Sequence, residues 1–232
     1  MKKIKHSINQ MLKDLLIIIR KNSVPKLMKI NIFADTICGW CFIGHANLKK
    51  ALKKFPNTKF DIHHVPFQLN PDMPNEGITR EKYLEIKFGG KDYAAPMYEN
   101  MKLKAKESGI NLNLDKIKKT PNTVLSHLLI ILSEQFNLQN EIKEKIYQSY
   151  FIEGLDIGEL NILVNIAEQN NIQEKVFKDF INEKNIEHVN SKISTAKEKN
   201  INGVPFFEIG KDFISGAQSS IQLENVIKAN LS

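Results

Sequence analysis

The period of hydrophobic and polar positions changes several times along this chain, and each change marks a different kind of element. From Lys29 to Asp35 apolar and polar residues alternate, with Ile30 and Ile32 on one face, which predicts a short strand. From Cys41 to Phe55 the apolar residues Leu48, Ala51, Leu52 and Phe55 recur at three and four, the spacing of a helix. Pro56-Asn57 ends it. Alternation returns where Phe60, Ile62 and His64 oppose Asp61 and His63, a second strand that stops at Val65-Pro66. Strand, helix and strand in this order build a βαβ unit, whose right-handed crossover makes the two strands parallel.

Beyond the bend Asn70-Pro71-Asp72-Met73-Pro74 the period of two gives way to a helical one. Ile142, Ile146 and Tyr150 share a face with Tyr147 and Phe151; Leu160, Leu163, Ile166 and Ala167 follow the same rule, as do Val176, Phe177, Phe180 and Ile181. Ile186 to Lys199 reads as one more helix. The α/β pattern then resumes. Pro205 to Ile209 is a short apolar strand, Gly210-Lys211-Asp212 a turn, and Phe213-Ile214-Ser215 its hairpin partner. Ser219 with Gln222 resembles a capping box opening a final helix that packs through Ile221, Val226 and Ile227. The expected organisation is an α/β domain from residues 28–70 and 186–232, an all-helical insertion over 71–185, and an extension over 1–27.

Composition narrows the class. The 232 residues are 42% hydrophobic and 25% charged, ordinary for a globular protein able to bury a core. A net charge of +7 raises the question of nucleic acid. Only Lys49, Lys50, Lys53 and Lys54 form a purely basic stretch; elsewhere bases alternate with acids, as in Glu141, Lys143, Glu144 and Lys145, the mark of a solvated helix face. No aromatic-and-basic motif accompanies the charge, so nucleic acid is not an expected partner.

No run approaches the ~20 apolar residues that span a bilayer. Met1 to Lys29 places Ile8, Leu12, Leu15, Leu16 and Ile19 on one helical face between basic ends, compatible with a peripheral helix or an organellar presequence. The plainer alternative is a start at Met28, directly before the first strand. A cytoplasmic location is expected, with organellar targeting by residues 1–27 left open.

The chemistry lies in Cys38-Gly39-Trp40-Cys41, which holds both cysteines of the chain. The motif stands between a strand and a helix, so Cys38 falls where unpaired backbone N–H groups and the helix dipole favour a thiolate, the reactive form of cysteine. Cys41, one turn further in, can reach the first sulfur and resolve a mixed disulfide. Cys38 is expected to be the more exposed and the more acidic. Two cysteines cannot form a disulfide framework, and a bridge across so short a loop stabilises little. A structural zinc site needs four ligands; no second CxxC or spaced histidine pair exists, and His45 with His63-His64 are most simply exposed or strand-edge residues. No metal or cofactor is expected.

Far downstream, Val204-Pro205 is an X-Pro bond at a strand start and a candidate cis peptide. Trp40 reads as a surface ring shaping substrate contact, Asp35 as a strand-end turn residue with a possible proton-handling role, and His127 as a satisfied histidine lining an interdomain cleft.

Taken together these residues resemble the DsbA-like thioredoxin-fold oxidoreductases, specifically the FrnE-like branch, from about Ile30 to Val226. The match rests on Asp35-x-x-Cys38-x-Trp40-Cys41-Phe42-Ile43-Gly44, on Pro66-Phe67-Gln68-Leu69-Asn70-Pro71, and on Asn122-Thr123 with His127. Tyr150-Phe151-x-Glu153-Gly154-x-Asp156-Ile157, Gly203-Val204-Pro205 and Ser215-Gly216-Ala217-Gln218 complete it. The resemblance implies a thioredoxin-like fold interrupted by an all-helical domain, with the substrate cleft between them. It also implies Cys38 as nucleophile, Cys41 as resolving thiol and a cis Pro205 against the pair; substrate contacts are expected from Trp40, Val204, Pro205 and His127.

One departure matters: the branch usually has proline where this chain has Gly39. Related 2-hydroxychromene-2-carboxylate isomerases and kappa-class glutathione transferases typically carry serine at the first motif position. The expected function is thiol–disulfide exchange with a protein or small-molecule partner, glutathione among them; the alternative is a glutathione-dependent isomerase or transferase.

Overall fold

The computed structural model describes residues 27–231. Strand β1 (Leu27–Ala34) leads into helix α1 (Gly39–Leu52), and β2 (Lys59–Pro66) returns alongside β1. The next segment holds β3 (Ile78–Thr79), α2 (Arg80–Phe88), α3 (Lys91–Glu107), β4 (Lys119–Thr120), α4 (Val124–Glu134) and α5 (Gln139–Gln148). A π-turn over Ser149–Glu153 precedes α6 (Leu160–Gln169), α7 (Glu174–Phe180) and α8 (Glu183–Glu198). The chain closes with the hairpin β5 (Phe206–Ile209) and β6 (Asp212–Ser215), then α9 (Ser220–Leu231).

The main sheet has the order β2-β1-β5-β6. β1 and β2 are parallel, as the crossover requires, with Leu27 opposite Lys59 and Ala34 opposite Pro66. β5 runs antiparallel to β1, setting Phe33 opposite Phe206, and β6 antiparallel to β5. This is the thioredoxin-like arrangement interrupted by a helical insertion.

Alternation along β1 decides what each face covers. Met28, Ile30, Ile32 and Ala34 enter the main core shared with α1, α4, α5 and α9, while Phe33 points the other way, to Ala196 and Ile201. Fully burying Ile30 and Ile32, at 0% and 2% exposed, contributes about 1.5–3 kcal/mol each.

The insertion is not entirely helical: β3 and β4 form a two-residue antiparallel ladder, Ile78 opposite Thr120. A ladder that short leaves no period in the sequence. Gly77 makes it possible, turning at φ +71 so close to Thr120 that a Cβ would stand 2.7 Å from its carbonyl oxygen.

Other boundaries shift for local reasons. α1 begins at Gly39 because Cys38 caps it, and α8 begins at Glu183 because the Asn182 side chain accepts from the Asn185 amide at 3.1 Å. The capping box forms as expected: the Ser219 hydroxyl accepts from the Gln222 backbone amide at 3.3 Å, and the Gln222 side-chain Oε1 accepts from the Ser219 backbone amide at 3.0 Å. Ile227 packs into the core as expected; Ile221, however, is 68% exposed, and Leu223 fills the core in its place. The readings placed on residues 1–26 lie outside the described residues; Met28 and Lys29 belong to β1.

Candidate active site

β1 ends at Ala34, and a turn whose Cys38 amide donates to the Asp35 carbonyl at 3.2 Å brings the chain into α1. Cys38 is the helix N-cap, with extended φ −94 and ψ 107. Its sulfur accepts from the Cys41 amide at 3.1 Å, the contact a serine or aspartate oxygen makes at other helix starts. No acidic residue occupies the first turn of α1 to oppose a negative charge there. Both thiols are free; Cys38 is 5% exposed and Cys41 1%, so the first sulfur is the less covered of two buried groups.

Across the sheet, the loop before β5 brings the other end of the chain to the same place. The Cys38 thiol donates to the Val204 carbonyl at 3.6 Å, and the Val204-Pro205 peptide is cis. Pro205 packs on α1, where a Cβ at Gly44 would stand 3.0 Å from its Cγ. On the motif's other flank, a Cβ at Gly39 would meet Met101 Sδ at 2.3 Å, so α3 lies directly against the turn.

Beneath the cysteines lies a buried polar shell. Asp35 is 1% exposed; one carboxylate oxygen accepts from the Leu69 amide at 2.8 Å, while Oδ1 has no hydrogen bond and lies 3.5 Å from His127 Nε2. That same ring nitrogen is 3.0 Å from the Phe67 carbonyl and donates to it. Tyr147, fully buried, donates to the Asp35 carbonyl at 3.4 Å and stacks on Phe42 with ring centroids 5.0 Å apart. Lys143 Nζ is 2.8 Å from His64 Nδ1, and His64 Nε2 is 3.0 Å from Asn140 Oδ1.

Burial dominates the electrostatics here. It pushes the Cys41 thiol well above its ordinary range, reinforced by the Cys38 contact and partly opposed, first by a backbone contact at Asp35 and then by the Lys143 charge. It lowers Lys143 to about 8 and His45 to about 3, the latter helped by the Lys143 and Lys49 charges. His64 also falls well below the usual histidine range, by burial and then Lys143. Burial raises the Tyr147 phenol.

Cys38, Cys41, Val204 and Pro205 therefore come together from the two ends of the chain. Trp40 is half-buried against the core. His127 sits at 3% exposed and turns inward, because α4 is buried on nearly every side. His45 and His64 were expected at the surface and are instead 4% and 6% exposed: the inner face of α1 and the end of β2 are both covered by α5. Lys143, expected on a solvated face, is 3% exposed. Its neighbours Ile142, Ile146 and Tyr147 occupy the apolar face of α5, a signal the charge pattern masked. No group of three or more candidate metal ligands clusters among the described residues, and no described helix is long and apolar enough to cross a membrane.

Solved structures share this architecture. The chain superposes on the probable DsbA oxidoreductase SCO1869 of Streptomyces coelicolor with a TM-score of 0.78 and 21% identity, over 88% of this chain and 90% of that one. It matches the cytosolic disulfide reductase DsbM of Pseudomonas aeruginosa, solved with GSH, at TM-score 0.64 and 13% identity, over 88% and 98%. A 2-hydroxychromene-2-carboxylate isomerase matches at 0.68 and 15%, over 88% and 99%. The sequence pattern of the DSBA-like thioredoxin domain extends over residues 29–228, from β1 into α9 across the whole insertion, and the chain belongs to that family.

Proposed function

We propose that this protein is a thiol–disulfide oxidoreductase that exchanges disulfides through Cys38 and Cys41. The observation that carries the proposal is the Cys38 sulfur, held at a helix N-terminus by an amide donor at 3.1 Å with the second cysteine of the motif one turn behind it. A cap in that position favours negative charge, and negative charge makes the nucleophile.

The chemistry follows in two steps. The Cys38 thiolate attacks one sulfur of a substrate disulfide, and the other sulfur leaves as a thiolate. Cys41, once deprotonated, then attacks the Cys38 sulfur of the mixed disulfide, expelling the second substrate thiolate and closing the Cys38–Cys41 bridge. Run in reverse, the same steps donate a disulfide. Substrate binds in the cleft between the thioredoxin-like part (28–70 and 186–232) and the helical part (71–185). It displaces the thiol contact to Val204 and pairs with that backbone, beside Pro205 and the Trp40 ring. His127, pointing into the protein, holds the Asp35 and Phe67 turn in place rather than touching substrate.

Glutathione and protein disulfides are both suitable partners, and a cytosolic setting fits; the likeness to a cytosolic disulfide reductase solved with GSH supports glutathione and the setting. A glutathione-dependent isomerase is the second reading, favoured by the shared architecture. The pair of cysteines separates the two. Cys38→Ser should abolish reduction of insulin or of a model disulfide. Full activity in that variant would end the first reading, and isomerase activity surviving loss of both cysteines would install the second.

A further inference from the structure

Cys41 has to lose its proton before it can resolve a mixed disulfide, yet it is 1% exposed and burial opposes its ionisation. Something must favour the charged sulfur from inside. α5 supplies the unusual group. Lys143 is 3% exposed, and none of the ion pairs among the described residues includes it. Its hydrogen bond goes to His64 Nδ1 at 2.8 Å, and the Asn140 oxygen takes the other ring nitrogen at 3.0 Å, fixing the imidazole as a neutral acceptor. An interior ammonium without a counter-ion is costly, and such groups mark function more often than stability.

Its surroundings lead to the cysteines. Lys143 Nζ lies 5.9 Å from the Tyr147 ring centre; that ring stacks on Phe42, the residue after Cys41, and its hydroxyl reaches Asp35, whose carbonyl takes the Cys38 amide. The titratable groups it meets are Cys38, Cys41 and His45 from the α1 side, His64 from β2, and Tyr147 from α5 itself. The Asp35 carboxylate turns away from it: one oxygen is taken by the Leu69 amide, and the other, without a hydrogen bond, lies 3.5 Å from His127 Nε2. The sulfurs are therefore the anions this ammonium can serve.

We propose that Lys143, held by His64, is a positioning residue whose positive charge makes the buried Cys41 thiolate accessible during resolution. The inference rests on the thiol–disulfide reading and adds a residue from the helical insertion to it. In the resolving step the Cys41 proton passes to a solvent base and the thiolate attacks Cys38. The Cys38–substrate S–S bond breaks as the Cys38–Cys41 bond forms, and the substrate sulfur leaves with the electron pair. Near neutral pH Lys143, although lowered to about 8, is mostly an ammonium, and it keeps its proton through the step. The mutual influence of Lys143 and Cys41 agrees with this, each favouring the charged form of the other.

The chromogenic aromatic disulfide of thionitrobenzoate separates the two steps. Mixed with the reduced protein, it releases one equivalent of coloured thiolate when Cys38 attacks and a second when Cys41 resolves. In Lys143→Met the second release should slow by about tenfold or more near neutral pH, the effect of removing an opposite charge, and the difference from wild type should shrink above about pH 8 as Lys143 loses its own proton. The first release should persist. Lys143→Arg, which keeps the charge, should restore the rate near neutral pH, and far-UV circular dichroism of both variants checks that the fold is kept. If arginine is not accommodated, the methionine variant alone decides. An unchanged second-phase pH profile in folded Lys143→Met overturns the inference while leaving thiol–disulfide exchange intact. Absence of any first release from the wild type overturns both together.

Discussion

Replacing Gly44 with alanine should destabilise this protein, although the same change would strengthen an isolated helix. Gly44 lies inside α1, where alanine is favoured over glycine by about 1 kcal/mol. Against that gain stands the contact with the strand side. A Cβ at position 44 would lie 3.0 Å from Pro205 Cγ, 3.1 Å from Phe207 Cζ and 3.4 Å from Pro205 Cβ. Both neighbours are rings inside the core, with Phe207 at 0% exposed, so neither can swing aside as a lysine tip would. Overpacking of this kind costs about 1–3 kcal/mol, so the cost wins and the net loss is about 1 kcal/mol. The displacement also falls on the segment that carries the Val204 carbonyl to Cys38, so turnover should drop along with stability. Urea denaturation followed by circular dichroism measures the first effect and insulin reduction the second. A Gly44→Ala protein stabilised by about 1 kcal/mol, as bare helix propensity dictates, would refute the close packing of α1 on Pro205.

Two further outcomes follow from the same packing. His45 is buried with both ring nitrogens unpartnered and is lowered to about 3, so protons bind the unfolded chain more readily. Its contribution is intact above the unfolded value of 6.5 and is lost as pH falls towards 3, reaching about 2 kcal/mol by about pH 5. Thermal melts should accordingly fall less steeply between about pH 7 and about pH 5 in His45→Phe than in wild type; equal slopes would count against a buried neutral imidazole. Gly39→Pro, which places at helix position N1 the residue usual in the FrnE-like branch, meets the flexible end of the Met101 side chain, whose displacement should cost no more than about 1 kcal/mol. Combined with Met101→Ala it should cost less than the sum of the single changes, by as much as about 1 kcal/mol, and strict additivity in urea melts would exclude that contact.

The parts of the fold that depend on near neighbours were legible in the sequence. The alternation of Ile30 and Ile32, the turn before Phe213, and the Ser219–Gln222 box all follow from residues a few positions apart. The site was legible only in halves. Cys38 announces itself by its motif, but its contact with Val204 spans 166 residues and is made by the antiparallel pairing of β5 with β1. That pairing follows from no local pattern, and only the family resemblance set Pro205 against the cysteines.

The buried polar shell was misread for a different reason. Lys143, His45 and His64 are polar by type, and polar residues are usually exposed. Whether each is covered depends on α5 lying across α1 and the end of β2, a fact of tertiary packing. For Lys143 a usable signal existed, since Ile142, Ile146 and Tyr147 put it on the buried side of its helix.

The central claim is that Cys38 attacks and Cys41 resolves, and trapping tests it most directly. Cys41→Ser protein incubated with glutathione disulfide should accumulate a single glutathione adduct, which peptide mass mapping should assign to Cys38. Wild-type protein treated the same way should instead carry an internal Cys38–Cys41 disulfide and no lasting adduct. An adduct on Cys41 of a Cys38→Ser protein formed as fast as the Cys38 adduct, or wild-type protein in which neither adduct nor internal disulfide forms, would contradict the account.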